Sequence, residues 1–372
     1  MRILLVGNYP YEGSVSMQIW ARTLERELLE RGFDVRLILP RPVFGKLKPS
    51  STGMGKWLGY VDRYLIFPLS LRAAARKADV IHVCDHGSAM YCSMLDGKPV
   101  VVTCNDMHAV LGARGEVPDC PATLSGRVLQ GWICRGLRRA SRIACISTAT
   151  FHDAQRVLSR SQGVCVILDA LNHPFQPLPG EEVERRLAGV TGIEKRFLLH
   201  VGTNSARKNR EGILRIFAQV AERADLQMVF VGEALNERLI GSARELGIYG
   251  RVVQVVRPQT PVLEALYNRA LALIFPSRFE GFGWPPIEAQ ACGCPVVASD
   301  IPPIAEVLRD SAALHNVDDE AGMAASILKL ADDPELRRQF QQLGLENIRS
   351  RFQTSRMMSE YISLYEEIAC QG

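Results

Sequence analysis

A glycine-rich turn between two glutamates stands in the second half of the 372-residue chain, Phe275-Pro-Ser-Arg-Phe-Glu280-Gly-Phe-Gly-Trp-Pro-Pro-Ile-Glu288. An apolar run ends at Phe275, so the turn lies at the carboxyl edge of a predicted sheet, where open α/β folds bind ligands. Gly281 and Gly283 let a ligand approach the backbone, and the prolines suit the first turn of a helix whose free N–H groups can receive a diphosphate. Either glutamate alone would also suit a solvated turn. Together, the residues predict two carboxylates facing one cleft, one gripping sugar hydroxyls and the other a ribose.

A second polar stretch, Gly202-Thr-Asn-Ser-Ala-Arg207-Lys208-Asn209, follows another apolar run. An arginine and a lysine at a glycine-bearing turn can clamp diphosphate oxygens, with Asn209 as the cap of the next helix. An exposed basic loop is the other interpretation of these residues. The clamp is favoured because we expect the two polar stretches to face each other across neighbouring strand ends.

The elements that must position these residues follow a repeated strand-helix pattern. In the first half, buried strands are predicted at 2–6, 34–39, 80–83, 100–103, 142–146 and 164–167, with a helix at about 16–31 after the first strand. In the second half, strands are predicted at 197–201, 227–231, 252–256, 271–275 and 295–298. This alternation predicts an α/β protein with parallel sheets and helices on both faces.

Three prolines and a glycine in 171–180 predict an extended connection between two domains. The pattern therefore divides into two Rossmann-like doubly wound domains, the second occupying 173–353. A final helix at about 354–369 has apolar residues over a broad face, more than an exposed tail needs. We expect it to pack on one of the domains.

Composition limits the class of protein. With 47% hydrophobic and 23% charged residues the chain is globular, and a net charge of +4 gives no indication of nucleic acid binding. The ten cysteines lack the paired spacing of a metal site and are expected to be reduced. No export signal and no segment long enough to span a bilayer is evident, which favours the cytoplasm.

Positive charge is concentrated in residues 41–77, which hold eight Lys or Arg and a single acid, Asp62, interleaved with aromatic residues that include Trp57, Tyr60, Tyr64 and Phe67. The segment has two interpretations. Its aromatic residues enter the core beneath a solvated basic helix face, or the mixture docks peripherally on an anionic membrane surface at the inner face of the membrane.

The string from Glu280 to Ser299 resembles the Glu, seven residues, Glu signature of the retaining GT-B glycosyltransferases, specifically glycosyltransferase family four, and the likeness covers nearly the whole chain. It implies a GT-B architecture whose C-terminal helix crosses back, so that the acceptor-binding domain is 1–172 plus about 354–372 and the donor-binding domain is 173–353. By this resemblance Glu280 contacts the donor sugar near its 3-hydroxyl. The backbone amides of Gly281, Phe282 and Gly283 bind sugar oxygens, and Glu288 binds the ribose.

In that family, cations neutralise the departing nucleoside diphosphate, so the resemblance implies no metal and no cofactor. Lys208 matches the family lysine. The arginine that often follows the family glycine, here Gly202, is replaced by Thr203, so Arg207 is predicted to supply the second cation. The Arg-Lys-Asn form resembles transferases that build mannose-containing envelope polysaccharides, which indicates GDP-mannose as donor, with a UDP-sugar as the other choice.

Acceptor-side candidates lie in the first domain. Many relatives have a glycine-rich loop, matched here by Gly13, and a Thr-x-His-Asp stretch whose histidine position is occupied by Asn105. Asp106 and His108 remain nearby, and His86 follows another strand at the same sheet edge. Each histidine also suits a hydrogen-bonded structural role. Asp106 joins Glu280, Lys208 and Arg207 in the predicted catalytic set.

These residues predict a retaining, metal-independent hexosyltransferase that holds a nucleotide-diphosphate sugar between its domains and transfers the sugar to a saccharide or glycolipid acceptor. No nucleophile is evident, which favours same-face transfer over a covalent intermediate. A non-catalytic sugar-nucleotide-binding protein is the main alternative, because of Asn105 and Thr203. A nicotinamide oxidoreductase is disfavoured because the turn from Gly7 to Gly13 lacks the GxGxxG spacing. A glycoside hydrolase would have no use for the phosphate clamp.

Overall fold

The computed structural model describes residues 1–11, 15–50, 53–95, 97–117 and 120–370. The chain divides into two compact units, one made of Met1–Asn172 with Thr354–Gly372 and the other of His173–Gln353. Each unit contains a parallel sheet of six strands among the described residues. The predicted α/β class with two parallel sheets is confirmed.

The first sheet has the strand order β2-β1-β3-β4-β5-β6, with every neighbouring pair parallel. Its central strands are buried along their length, as expected for apolar strands covered by helices on both faces. The strands are β1 (Arg2–Val6), β2 (Asp34–Ile38), β3 (Val80–Val83), β4 (Val100–Cys104), β5 (Arg142–Cys145) and β6 (Val164–Val166).

The helices of the first unit connect these strands and return at the end of the chain. A π-helical turn at Asp62–Ile66 joins the second and third helices without a break. The α-helices are α1 (Val15–Glu30), α2 (Gly53–Val61), α3 (Phe67–Ala75), α4 (His108–Ala113), α5 (Leu124–Arg139), α6 (Thr148–Leu158) and, after the second unit, α15 (Thr354–Ala369).

The second sheet has the order β12-β11-β10-β7-β8-β9, again parallel throughout. The strands are β7 (Phe197–Gly202), β8 (Gln227–Gly232), β9 (Val252–Val256), β10 (Ala272–Phe275), β11 (Val296–Ser299) and β12 (Ala313–His315). The strand β12 was not predicted, because three half-buried residues carry no readable pattern.

The helices of the second unit begin with clear local signals. Asn209 and Asn236 cap two of them through side-chain oxygens, and prolines occupy the first turns of others. The helices are α7 (Gly180–Leu187), α8 (Arg210–Ala221), α9 (Glu237–Glu245), α10 (Thr260–Arg269), α11 (Trp284–Ala291), α12 (Pro302–Leu308), α13 (Glu320–Asp332) and α14 (Pro334–Arg351).

The final helix α15 packs on the first unit through a buried polar network as well as apolar contacts. The Tyr365 hydroxyl lies 2.6 Å from His82 Nδ1, and the Tyr361 hydroxyl lies 3.0 Å from Thr103 Oγ1. All four side chains are fully buried. The expectation that this helix packs on a domain is confirmed. None of the described helices is long and apolar enough to cross a lipid bilayer.

Each sheet reverses its direction of strand addition at one point, between β1 and β3 in the first and between β7 and β10 in the second. At such a reversal the connecting helices leave on opposite faces, and a crevice opens outside the carboxyl ends of the two strands. The segments that follow these four strands are therefore the natural places for ligand-binding residues.

Candidate functional site

Two cations and one carboxylate meet at the reversal point of the second sheet. Arg207 and Lys208 follow β7, and Glu280 follows the neighbouring β10. Lys208 Nζ lies 2.6 Å from Glu280 Oε1, and Arg207 Nη1 lies 3.0 Å from Glu280 Oε2. The structure therefore joins the two polar stretches that were singled out in the sequence.

In this ion cluster Lys208 is shielded from solvent, whereas Arg207 is partly exposed. The side chains of Lys208 and Glu280 are 9% and 7% exposed, whereas that of Arg207 is 36% exposed. Burial lowers the pKa of Lys208, against the opposing effect of Glu280. Burial alone would raise the pKa of Glu280, but Lys208 and Arg207 outweigh it and the net shift is downward. The cluster carries one excess positive charge, and Arg207 is the group free enough to reach an incoming anion.

Backbone geometry fixes the cations in place. Asn209 takes a left-handed conformation with φ of 52°, and its side chain both caps α8 at Gly212 and donates to the Pro276 carbonyl at 3.2 Å. The predicted capping role of Asn209 is confirmed. The Arg278 N–H donates to the Arg207 carbonyl at 2.7 Å, which ties the two loops together directly.

The helix α11 begins beside this cluster. Gly283 is its N-cap residue, with φ of 118°, and prolines occupy its first turn as predicted. Glu288, one turn inside the helix, is buried and its carboxylate accepts a hydrogen bond from the Tyr267 hydroxyl at 2.9 Å. Tyr267 is fully buried, and burial next to Glu288 raises its pKa. The tyrosine therefore holds the Glu288 carboxylate in one orientation.

The other residues predicted on the donor side are also placed around this turn. Gly281 lies in the loop before α11. The Phe282 side chain is buried and packs edge to face on Phe352, with ring centroids 5.8 Å apart, so the ring belongs to the core and is not exposed to a ligand. Gly202 ends β7, and a Cβ there would lie 2.9 Å from His200 Nε2 and 3.5 Å from Lys208 Cγ. Larger residues at 202 would therefore push against the cluster.

Arg210 is a functional candidate that sequence reasoning missed. It is 3% exposed, and its guanidinium donates to the carbonyls of Gly202, Val231 and Glu233, at 2.7, 3.2 and 2.8 Å. Burial lowers its pKa to about 10. Arg210 therefore ties the ends of β7 and β8 together behind the cations. In the sequence, the one signal for Arg210 is its position directly after the Arg-Lys-Asn stretch.

A second polar cluster lies at the reversal point of the first sheet, centred on Asp85 after β3. Asn8 Nδ2 donates to Asp85 Oδ2 at 2.5 Å and Asn105 Nδ2 donates to Oδ1 at 3.1 Å, while His86 Nδ1 lies 3.2 Å from Oδ1. Burial alone would raise the pKa of Asp85, but contacts with His86 and Asn8 hold it well below its usual range. Asn105 and His86, predicted from the sequence, thus share one carboxylate.

The remaining acceptor-side residues have different placements. The Asp106 carboxylate accepts a hydrogen bond from the His108 N–H at 2.9 Å, at the start of α4, so the structure assigns Asp106 a capping contact. Gly13 lies outside the described residues. Asn8 and Asp85 were not among the predicted site residues, although Asp85 directly precedes His86.

The arrangement of the second unit suits an anionic ligand that also carries hydroxyl groups. The more exposed cation of the cluster is the Arg207 guanidinium, and a guanidinium can bind two oxygens of a phosphate at once. The α11 amides add a positive dipole end, and two carboxylates in fixed orientations can accept hydrogen bonds from hydroxyls. A nucleoside diphosphate sugar has these features in one molecule.

Comparisons with known proteins agree with this chemistry. The family model described as Glycosyl transferases group 1 matches residues 186–346, and the one described as Glycosyltransferase Family 4 matches residues 17–168. The D-inositol 3-phosphate glycosyltransferase of Corynebacterium diphtheriae is 30% identical over 369 residues, covering 89% of this chain and 85% of that protein.

Solved structures show the same fold over the whole length. Sucrose-phosphate synthase from Thermosynechococcus elongatus superposes with a TM-score of 0.81 at 18% identity, covering 100% of both chains. Anabaena HepE in complex with UDP-glucose gives a TM-score of 0.73 at 16% identity, covering 98% of this chain and 99% of that one. With the two family models and the Corynebacterium relative, these matches show that the chain belongs to the glycosyltransferases of group 1 and family 4 and has the GT-B fold.

Proposed function

We propose that the protein is a retaining glycosyltransferase that moves a hexose from a nucleotide-diphosphate sugar to a saccharide or glycolipid acceptor in envelope polysaccharide or glycoconjugate synthesis. The observation that carries the proposal is the Arg207–Glu280–Lys208 cluster at the reversal point of the second sheet, beside the start of α11. Membership of a glycosyltransferase family favours this reading over a nicotinamide oxidoreductase.

In the proposed reaction, the bond between the sugar C1 and the diphosphate oxygen breaks while an acceptor hydroxyl forms the new bond on the same face of the ring. The hydroxyl proton passes to the departing diphosphate oxygen. Negative charge grows on that group in the transition state, where Lys208 and Arg207 lie, so their attraction is strongest there. In this scheme no metal is needed, because the two cations and the α11 amides supply the positive charge.

The carboxylates would orient the donor. We assign Glu280 to the sugar hydroxyls, because its carboxylate is held by Lys208 next to the diphosphate position. We assign Glu288 to the ribose, because Tyr267 fixes one of its oxygens. A ribose hydroxyl pair has two donors to offer, and a carboxylate in fixed orientation can accept both.

The Asp85 cluster is proposed to bind the acceptor. The Asn8 and Asn105 amide nitrogens donate to Asp85, so their oxygens point elsewhere, and among the described residues neither buried oxygen has a partner. Unpaired buried acceptors are costly unless a ligand supplies donors. Asn105→Ala should therefore lower transfer to the acceptor while donor binding stays unchanged, as measured by comparing product formation with nucleotide affinity.

The donor is proposed to be GDP-mannose or a UDP-sugar. The Arg207-Lys208-Asn209 stretch supports the first, and the HepE structure, which holds UDP-glucose, supports the second. A thermal-shift screen of UDP-, GDP- and ADP-sugars separates them, because a ligand bound only by the folded state raises the melting temperature. The screen is repeated with a chelator to test whether binding needs a metal. If it does not, the rise in melting temperature stays the same.

A non-catalytic sugar-nucleotide-binding protein is the second candidate, since Thr203 and Asn105 stand where the family pattern that this sequence resembles has an arginine and a histidine. Donor turnover decides between the two. The purified protein is incubated with the donor that gives the largest shift, and release of the nucleoside diphosphate is followed with and without a pool of saccharide and glycolipid acceptors. Release in the native protein that is lost in Lys208→Ala supports the enzyme, and binding without any release supports the alternative.

A further inference from the structure

Exposed apolar side chains are concentrated on one part of the first unit. Helix α2, the π-helical turn and α3 form one continuous helix, and Met54, Trp57, Leu65 and Leu69 on it are 66%, 63%, 68% and 70% exposed. The extra residue of the π-helical turn keeps the later leucines on the face that Met54 and Trp57 begin. Several large apolar side chains exposed on one helix indicate an interaction surface.

Positive charges surround these apolar side chains. Arg72 and Arg76 continue the same face one and two turns beyond Leu69, and Lys56 lies beside Trp57, all of them exposed. The loop before the helix adds exposed Lys46 and Lys48, together with the exposed apolar residues Val43, Phe44 and Leu47.

The single acid of this segment, Asp62, is turned inward. Its carboxylate accepts hydrogen bonds from the Tyr9 hydroxyl and from the N–H groups of Val43, Phe44 and Gly45, at 2.9 to 3.0 Å. Asp62 is fully buried. It therefore contributes no negative charge to the surface, and it fixes the 43–48 loop next to the helix so that both belong to one surface. We call this surface, loop 43–48 with the exposed side chains of Met54, Trp57, Leu65 and Leu69, the basic apolar face.

Some aromatic residues of segment 41–77 pack in the core and others are exposed, so each of the two interpretations made from the sequence describes a part of them. Phe67 is buried, and Tyr60 and Tyr64 are half-buried and pack in a chain toward Trp132, with ring centroids 5.2 and 5.3 Å apart. Trp57 and Phe44 are exposed. The inner side of the helix thus packs against the core, whereas the apolar residues on its outer side are exposed.

We propose that the basic apolar face docks on an anionic phospholipid surface. Its leucines and Trp57 would enter the boundary between headgroups and acyl chains, and its lysines and arginines would pair with lipid phosphates at the same depth. A second copy of the chain fits less well, because a symmetric pairing of this face would bring the same cations against each other. The proposal does not depend on the donor or on the reaction.

Vesicle co-sedimentation of the full chain tests the proposal. Vesicles of phosphatidylcholine alone are compared with vesicles of equal parts phosphatidylcholine and phosphatidylglycerol. We expect binding to the anionic vesicles that weakens as salt is added, and little binding to the neutral ones. Equal binding to both compositions, or none to either, would contradict the proposal.

Two sets of variants assign the binding to this face. Leu65→Ser and Leu69→Ser should each weaken binding roughly tenfold by removing an inserted apolar group. Lys46→Gln and Lys56→Gln should each weaken it roughly fivefold, and their effect should shrink at high salt. The matched controls Leu246→Ser and Leu343→Ser, at exposed leucines of the second unit, should bind like the native protein.

Sedimentation equilibrium separates the membrane from a second copy. The proposal expects the same molecular mass for the native protein and for the Leu65→Ser, Leu69→Ser double variant, with a loss of vesicle binding in the variant. A native dimer that the double variant turns into a monomer, with no vesicle binding by either protein, would overturn the proposal in favour of self-association. Unchanged vesicle binding in a folded double variant would also overturn it.

Discussion

At the scale of single residues, Lys208 is the buried partner of a buried carboxylate. Replacing it with alanine leaves the Glu280 carboxylate paired with the more exposed cation, Arg207, so the free energy of unfolding should fall by roughly 3 kcal/mol. Arg207→Ala removes the outer ion pair and should cost less than about 1 kcal/mol. Urea unfolding of both variants measures the difference. Equal losses would mean that the two cations support Glu280 alike. Both variants should bind the nucleotide-sugar more weakly.

Asp169 gives a pH-dependent prediction. Burial raises its pKa to about 7, although Trp20 donates to it at 3.0 Å. In the unfolded chain this carboxyl has a pKa of about 4, so as the pH rises it releases its proton earlier than in the folded protein. The free energy of unfolding is therefore not reduced by Asp169 below about pH 4, and it falls between about pH 4 and 7. Asp169→Asn keeps an acceptor for Trp20 and removes this loss. It should raise the free energy of unfolding by up to about 4 kcal/mol above pH 7 and leave it unchanged near pH 4.

The control for this prediction is an aspartate shifted in the other direction. The hydrogen bonds from Arg2 lower the pKa of Asp79 to about 2, so its stabilising effect is present above the unfolded pKa and is lost as the pH falls toward 2. Asp79→Asn should therefore not raise the free energy of unfolding above pH 7. Chemical unfolding of both variants across the pH range provides the measurement. A higher free energy of unfolding in both variants would indicate a general effect of removing negative charge.

At the scale of elements, the start of α11 depends on Gly283. An alanine Cβ there would lie 2.6 Å from Ile304 Cδ1, on a backbone with φ of 118° that side chains rarely adopt. Gly283→Ala should shift the first turn of α11 and weaken nucleotide-sugar binding by at least roughly tenfold, since the binding amides move. Titration calorimetry measures the affinity.

Gly293 provides the matched control at the other end of the same helix. It also has a positive φ, of 72°, but no atom lies within 4 Å of an added Cβ. Gly293→Ala should cost about 1 kcal/mol of stability and leave nucleotide affinity unchanged. Similar affinity losses in both variants would show that general strain, and not the position of the α11 amides, controls binding.

The docking of α15 is a second element-scale feature. Tyr365→Phe removes the hydroxyl 2.6 Å from His82 Nδ1 and leaves a fully buried ring nitrogen without that partner. The free energy of unfolding should fall by about 1 to 3 kcal/mol, as expected for an unsatisfied buried polar group. Tyr249→Phe, at a tyrosine that is 43% exposed, should have almost no effect. Guanidinium unfolding of the two variants provides the measurement.

At the scale of the whole molecule, two separate cores predict a local response to the donor. The nucleotide-sugar residues that we propose all lie in His173–Gln353. Hydrogen exchange of the intact protein should therefore slow on donor binding in the segments after β7 and β10, because ligand binding raises the free energy of opening there. Slower exchange confined to Met1–Asn172 would contradict the assignment of the donor to the second unit.

The strand-helix pattern and the two polar stretches can be recognised in the amino-acid sequence alone. Buried parallel strands need continuous apolar runs, and helix starts need local caps such as Asn209, so both can be recognised within a few residues. Eleven of the strands were predicted at nearly their observed places. The strand β12 was missed because it is too short to show a pattern.

The sequence predicted that the two polar stretches face each other, and the folded structure shows which of their side chains pair. Lys208 and Glu280 form an ion pair because β7 and β10 are neighbours at the reversal point, a fact of strand order that no local pattern encodes. The burial of Arg210 and the inward turn of Asp62 have the same origin. Each is a charged residue whose hydrogen-bond partners lie on segments brought close by packing, so its buried charge is stabilised only after the chain has folded.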